Sequence, residues 1–235
     1  MSDLKRQTMD YFKLDLSGKM FGPPTVHIMS TLRLITDADA FLLKALAKDC
    51  LLAVEVGTYT GASAEALLSG MPVGGHLICV DTFDPRCSPV LMDAHDRESV
   101  MPRSMTLACL FNRFEGKMDR LTVMVATSAN AAVLLKPGIA DLIFLDAAHD
   151  YANVMADIRA WLPILDPRGI MVGHDWDRND LSPKAIHDAM YLESGPEGIH
   201  CGVISAVSDS FSEVFLPPGE NSLWVAKPEW ARKIS

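Results

Sequence analysis

Five short runs of mostly aliphatic and β-branched residues, Leu51–Val56, His76–Asp81, Leu121–Val125, Asp141–Leu145 and Gly169–Val172, alternate with stretches whose apolar residues recur at helical spacing. No other feature of the chain constrains its fold as much. A strand of four to six mainly apolar residues has no polar face to give to water, so it must be covered on both sides. Parallel strands need long crossover connections, and the intervening segments read as the helices that supply them. Asp37 is placed to cap a helix carrying Phe41, Leu42, Ala45 and Leu46 on one face. A second helix runs from Ala62 to about Ser69. A third, Tyr151–Leu165, has Asp150 as its cap and Val154, Met155, Ile158, Trp161, Leu162 and Leu165 on one side. Ser182-Pro183 opens a fourth, with serine before the first turn and proline at its first position. Cys201–Ala206 and Ser222–Ala226 then read as two late strands, joined through Pro217-Pro218-Gly219 as an antiparallel hairpin. The expectation is an α/β, doubly wound, Rossmann-like fold. Its sheet is mostly parallel and seven-stranded, with an antiparallel C-terminal edge hairpin. One domain covers residues 36–235, after an irregular N-terminal arm over 1–35.

The function classes narrow on charge. The 235 residues hold 30 acidic and 21 basic side chains, a formal net charge of −9, and no Lys/Arg cluster appears. Phosphate attraction needs a basic face, so nucleic acid is not the expected partner. No apolar run reaches the length of a membrane span, and none resembles a signal peptide. The five cysteines, Cys50, Cys79, Cys87, Cys109 and Cys201, form no CxxC pair, and their odd number closes no disulfide framework. These features point to a cytoplasmic protein acting on a small molecule, with neither nucleic acid nor membrane as partner. A homo-oligomer stays open.

In a sheet of this kind ligands sit outside the carboxyl ends of the strands. The first such end reads Val54-Glu55-Val56-Gly57-Thr58-Tyr59-Thr60-Gly61-Ala62-Ser63. Two glycines four apart allow a sharp turn and a close backbone approach, but they lack the G-x-G-x-x-G order of a dinucleotide site. Glu55 sets a negative charge beside the turn, which suits an ammonium better than a phosphate. The glycines alone fit a plain strand-to-helix turn equally well. Asp81, at the end of the second strand, is about twenty residues further on, where an acid can accept both hydroxyls of a ribose.

Glu55-Val56-Gly57 with Gly61, followed by Asp81-Thr82-Phe83, resembles the S-adenosylmethionine site of class I methyltransferases. The stretch Phe144 to Tyr151, and then Asp157 to Asp175, resembles a small bacterial branch of that class. This branch is related to the cephalosporin-hydroxylase and macrolide-sugar O-methyltransferase proteins. The resemblance runs in order from Ala53 to Pro228. It implies S-adenosylmethionine as cofactor, held by Glu55, Gly57, Thr58, Gly61, Ser63, Asp81, Thr82, Phe83, Ser128 and Asp146. Two departures stand out: Asp146-Ala147-Ala148-His149 replaces Asp-Gly-Asp-His, and Ala126-Thr127-Ser128 replaces Gly-Asp-Ser.

Asp146 ends the fourth strand and His174-Asp175 the fifth, so neighbouring strands would bring two carboxylates and an imidazole together. Such a set can accept Mg²⁺ or another divalent cation, and the resemblance places the metal of related O-methyltransferases at these positions. A hydrogen-bonded pair fixing a loop is the competing reading. His149, three residues after Asp146, is the candidate general base, since a neutral imidazole suits proton abstraction near pH 7. His187 reads as surface, Cys79 as core, and Met101, Met105 and Met118 as packing. Residues 84–103, rich in Pro, Arg, Asp and His, read as a lid over the ribose. The expected activity is O-methylation of a small-molecule hydroxyl (sugar, natural product or catechol-like). A nicotinamide-dependent oxidoreductase and a non-catalytic protein on the same fold are the alternatives.

Overall fold

The computed structural model describes residues 34–84 and 103–232. Residues 1–33 of the expected arm over 1–35, most of the expected lid and Met101 lie outside them. Within the described residues six strands form one sheet: β1 (Leu52–Val56), β2 (His76–Asp81), β3 (Leu121–Val125), β4 (Ala140–Leu145), β5 (Leu165–Gly173) and β6 (Trp224–Ala226). Their order is β3-β2-β1-β4-β5-β6, with every pair parallel except β5 and β6. The chain order thus reverses beside β1, between β1 and β4, which is where open sheets of this class take ligands.

The helices are α1 (Asp37–Leu46), α2 (Ala62–Gly70), α3 (Arg103–Arg113), α4 (Ser128–Ala132), α5 (Tyr151–Trp161), α6 (Pro183–Ala189) and α7 (Cys201–Ser210). The period of two along each strand divides the core into two layers. Val54, Val56, Ile143, Leu145 and Met171 face α5 and α7 through Val154, Ile158, Trp161, Val203 and Val207. Ala53, Leu77, Cys79, Leu142 and Phe144 face the other way, onto Leu43 of α1, Leu67 of α2, and Leu110 and Phe114 beside α3. Glu55 lies on this second face with no exposed surface. The Asp141 carboxylate accepts the N–H groups of Leu51 and Leu52 at 2.7 and 2.9 Å, which pins the start of β1 to β4.

Three expectations change. Cys201–Ala206 is not a strand but the first part of α7, whose Cys201, Val203, Ile204, Ala206 and Val207 are buried. A short apolar run cannot be told from a buried helix by periodicity, and this one continues to Ser210 in helical register. The edge hairpin is correspondingly reduced. β6 runs antiparallel to β5 as the expected edge strand, and its outer neighbour is a single bridge between Phe215 and Val225, so the described residues hold six strands of the mostly parallel sheet. The third concerns α1, whose cap is Thr36, not Asp37. Thr36 and Asp39 exchange hydrogen bonds in a capping box, at 3.1 Å to the Asp39 N–H and 3.0 Å to the Thr36 N–H.

Candidate functional site

The carboxyl ends of β1, β2, β4 and β5 meet at one edge, and most of the residues expected at the site lie there. The loop after β1 is tied to both neighbours: Gly57 N–H donates to Val80 at 2.9 Å, and Asp146 N–H donates to Val56 at 2.9 Å. Gly57 has φ +93°, and a Cβ there would stand 2.0 Å from the Asp146 carbonyl oxygen. Only glycine permits that approach. Gly61 (φ +83°) opens α2 and packs its bare face on Leu110 and Phe114, so its missing Cβ serves the seating of α3. Asp81 accepts from Tyr59 N–H at 2.8 Å and Phe83 N–H at 2.6 Å, which locks the two strand-end loops together. Each of its oxygens retains acceptor capacity.

Behind this cradle Glu55 is fully buried, and neither its Oε1 nor Thr58 Oγ1 has a hydrogen-bond partner. Burial pushes the Glu55 carboxyl up to about 8, partly offset by the neighbouring Ser63 and Thr58 hydroxyls. Ser63 is buried in the first turn of α2. Thr82 accepts from Asp84 N–H at 3.3 Å, and Phe83 is 3% exposed in the core beneath the loop. Ser128 starts α4, where its hydroxyl donates to Asp157 and accepts from Trp161 Nε1 at 2.8 Å.

Beside the cradle lies a cluster of imidazoles and carboxylates. His174 Nδ1 is 3.0 Å from Asp175 Oδ1 and 3.8 Å from Asp146 Oδ1. Its Nε2 is 2.9 Å from Ser222 Oγ and 3.5 Å from Asp39 Oδ2. His149, in the turn before the Asp150-capped α5, sets Nε2 2.9 Å from Asp175 Oδ2 and Nδ1 2.6 Å from Glu193 Oε1. His200 Nδ1 is 2.8 Å from Asp177 Oδ2 and 3.7 Å from Asp175 Oδ1. Asp175 holds the centre in a left-handed backbone conformation, φ +62°, that a side chain other than glycine adopts at a cost.

Burial alone would lower both site imidazoles. Hydrogen bonds from Asp175 and Glu193 instead raise His149 to about 10, and those from Asp175 and Asp39, with the Asp146 charge, raise His174 to about 11. Asp175 is held far below the usual carboxylate range because the two imidazolium charges outweigh its burial. Asp146 is pushed upward, chiefly by burial. In this arrangement His149 is an imidazolium at neutral pH, with both nitrogens engaged.

Asp39, Asp177, Glu193, His200 and Ser222 escape sequence reasoning, since each is an isolated polar residue far from the motifs. Gly202 carried a signal for one of them. A Cβ at that position would lie 2.3 Å from the His149 carbonyl oxygen, so this glycine lets α7 enter against the His149 turn and brings His200 with it.

The cradle fits an adenosyl amino acid. It combines a close glycine turn, an acid with remaining acceptor capacity at the end of β2, and two buried polar atoms without partners. Asp146, His174 and Asp175 fit a divalent ion, because one ligand atom from each lies within 4.8 Å of the others.

A family model described as a methyltransferase domain matches residues 54–176. The chain belongs to that methyltransferase family. It is a class I, S-adenosylmethionine-dependent methyltransferase, as the strand-end motifs imply. Cofactor-bound Rv0187 from MTB is 16% identical, with 93% of this chain and 95% of that one covered at a TM-score of 0.59. The O-methyltransferase TomG from Streptomyces achromogenes, involved in tomaymycin synthesis and solved with SAM, is 14% identical over 97% and 99% at 0.56. SAH-bound methyltransferase PaMTH1 from Podospora anserina is 16% identical over 96% and 87% at 0.55. At these identities the likeness concerns the fold. No curated protein matches the sequence significantly. No helix among the described residues is long and apolar enough to cross a membrane.

Proposed function

We propose that this methyltransferase transfers the methyl group of S-adenosylmethionine to a hydroxyl of a small molecule, with a divalent cation at Asp146, His174 and Asp175. The observation that carries this reading is the meeting of two sets of groups at one sheet edge. The Gly57 turn packs on the Asp146 backbone, Asp81 lies at the neighbouring strand end, and His149 contacts Asp175 of the Asp146, His174 and Asp175 trio. The solved relatives named for SAM, SAH or O-methyl transfer support it at the level of fold.

S-adenosylmethionine supplies an electrophilic methyl on a sulfonium. Asp81 accepts its ribose hydroxyls, the amino acid end lies toward Glu55, Gly57 and Asp146, and the adenine end lies toward Ser128. A divalent ion supplies a positive charge that lowers the pKa of the acceptor hydroxyl. Asp146, His174 and Asp175 would hold that ion, Glu193 orients the His149 ring through Nδ1, and Nε2 is the nitrogen that would take the hydroxyl proton as the methyl passes from sulfur to oxygen and S-adenosylhomocysteine leaves. Trp224 and Val203 wall the small pocket around these residues.

The test is methyl transfer from labelled S-adenosylmethionine to a panel of sugar, phenol and polyketide alcohols, with and without chelator. Activity is expected to vanish with chelator and return on metal add-back, and His149→Ala should slow turnover about 10²- to 10⁴-fold with donor affinity intact. Full turnover in excess chelator by metal-free protein would remove the cation. Wild-type turnover in His149→Ala would remove the base.

A further inference from the structure

The cluster extends past the groups that this reading uses. His149, Asp175 and His200 form a second set whose ligand atoms all lie within 4.8 Å of one another. His149 Nε2 is 2.9 Å from Asp175 Oδ2, His200 Nδ1 is 3.7 Å from Asp175 Oδ1, and the two imidazole rings stand 4.5 Å apart. In a tetrahedral sphere with bonds of about 2.0–2.1 Å, ligand atoms are separated by roughly 3.3–3.5 Å. The two nitrogen–oxygen separations, 2.9 and 3.7 Å, bracket that spacing, and all three ligand atoms lie within 4.8 Å of one another. We propose that His149, Asp175 and His200 form a second divalent-cation site, selective for Zn²⁺-like ions, which shares Asp175 with the first.

Three features set this site apart from its neighbour. Its donors are two imidazoles and one carboxylate, a set that favours Zn²⁺, Co²⁺ or Ni²⁺ over Mg²⁺, whose preferred ligands are oxygens. Its outer contacts are already built. Glu193 Oε1 lies 2.6 Å from His149 Nδ1, the carboxylate–histidine arrangement that orients a ligating imidazole and leaves Nε2 for the metal. Asp177, 2.8 Å from His200 Nδ1, stands beside the open side as a further carboxylate donor. Finally, Asp175 reaches both sets of ligands, with Oδ1 3.0 Å from His174 and 3.7 Å from His200 and Oδ2 2.9 Å from His149, so one carboxylate can bridge the two sites.

Occupation has a consequence that rests on the proposed role of His149. An ion on Nε2 takes the lone pair needed for the acceptor proton, so the second site is inhibitory. The enzyme then works with a cation in the first site and is shut off by a second one held by His149 and His200.

The experiment titrates chelator-treated full-length protein with Zn²⁺ and, in parallel, Co²⁺, counting bound ions and following the visible Co²⁺ absorption. His200→Gln and Glu193→Gln are compared with His174→Gln, after melting curves without metal show that each variant folds. One bound equivalent should weaken about 10- to 100-fold or more in His200→Gln and Glu193→Gln, yet persist in His174→Gln. If the first site is also real, the wild type binds two equivalents. If the first site fails, the wild type binds one, and that one depends on His200, so failure of the earlier reading is visible by itself. Equal stoichiometry and affinity in wild type and both second-site variants overturns the proposal. Where turnover is measurable, Zn²⁺ should inhibit the wild type and spare His200→Gln, and equal inhibition of both would overturn the inhibitory role.

Discussion

Replacing Glu55 with glutamine should make the protein more stable at neutral pH, although it alters the floor of the candidate site. Glu55 is fully buried on β1, with the Cys79 thiol 3.9 Å from its Oε2. Burial raises its pKa from 4.5 to about 8, with the Ser63 and Thr58 hydroxyls opposing and the Asp146 and Asp81 charges adding. An acid whose folded pKa exceeds its unfolded value keeps its proton longer in the folded state. Its contribution is therefore complete below about 4.5, falls as pH climbs toward about 8, and is flat above that. At about 1.4 kcal/mol per pH unit, the loss approaches ~5 kcal/mol in full and ~3 kcal/mol by pH 7. Glutamine has the shape of the protonated acid and nothing to ionise. Glu55→Gln should match the wild type near pH 4.5 and exceed it by about 2–3 kcal/mol at pH 7, with a wider gap at pH 8.5. Urea unfolding followed by circular dichroism at the three pH values measures the difference. A gap that stays constant from pH 4.5 to 8.5 would refute the reasoning, since every other titrating group is common to both proteins.

Two further outcomes follow from the same kind of accounting. Asp81→Ala should weaken S-adenosylhomocysteine binding by about 1–3 kcal/mol in calorimetry, through lost ribose contacts and the released Tyr59 and Phe83 N–H groups; unchanged affinity would exclude Asp81 from the site. Asp157, raised to about 6 by burial despite its Ser128 hydrogen bond, loses folding stability as pH rises from 3.8 to about 6. Asp157→Asn should therefore melt higher than the wild type at pH 7, by an amount equivalent to about 1–2 kcal/mol, and equally at pH 3.5.

The sheet was legible because its strands are short, apolar and flanked by breakers. His76–Asp81 and Leu121–Val125 fall on β2 and β3 without a shift of boundary. The sequence places a helix over Tyr151–Leu165 and starts the strand only at Gly169, because Pro163 and Pro167 obscure the start of β5 at Leu165. The helix instead stops at Trp161, and a short 3-10 turn over Leu162–Ile164 leads into the strand. Cys201–Ala206 misled for another reason: Val203, Ile204 and Val207 are β-branched, and burial on α5 overrides the weak strand preference they share. In the site, Asp146, His149, His174 and Asp175 were visible because each sits within four residues of a strand end. Asp39, Glu193 and His200 were not. They arrive from α1, the loop after α6 and the start of α7, and only the folded chain makes them neighbours.

The capping box of α1 has a bearing on how this protein can be altered. Asp39 closes the first turn of the helix through Thr36, and the same carboxylate reaches His174 and the Ser222 N–H. Those ties hold its pKa down near 2 even though the side chain is 1% exposed. The helix end and the chemistry are thus coupled through a single functional group. Exchanging α1 for that of a relative, as one would exchange an outer support, replaces a wall of the reaction chamber as well. Chimeras built at this boundary should carry Thr36, Asp39, His174 and Ser222 across as a unit, because any one of them inherited alone meets a partner shaped for another protein.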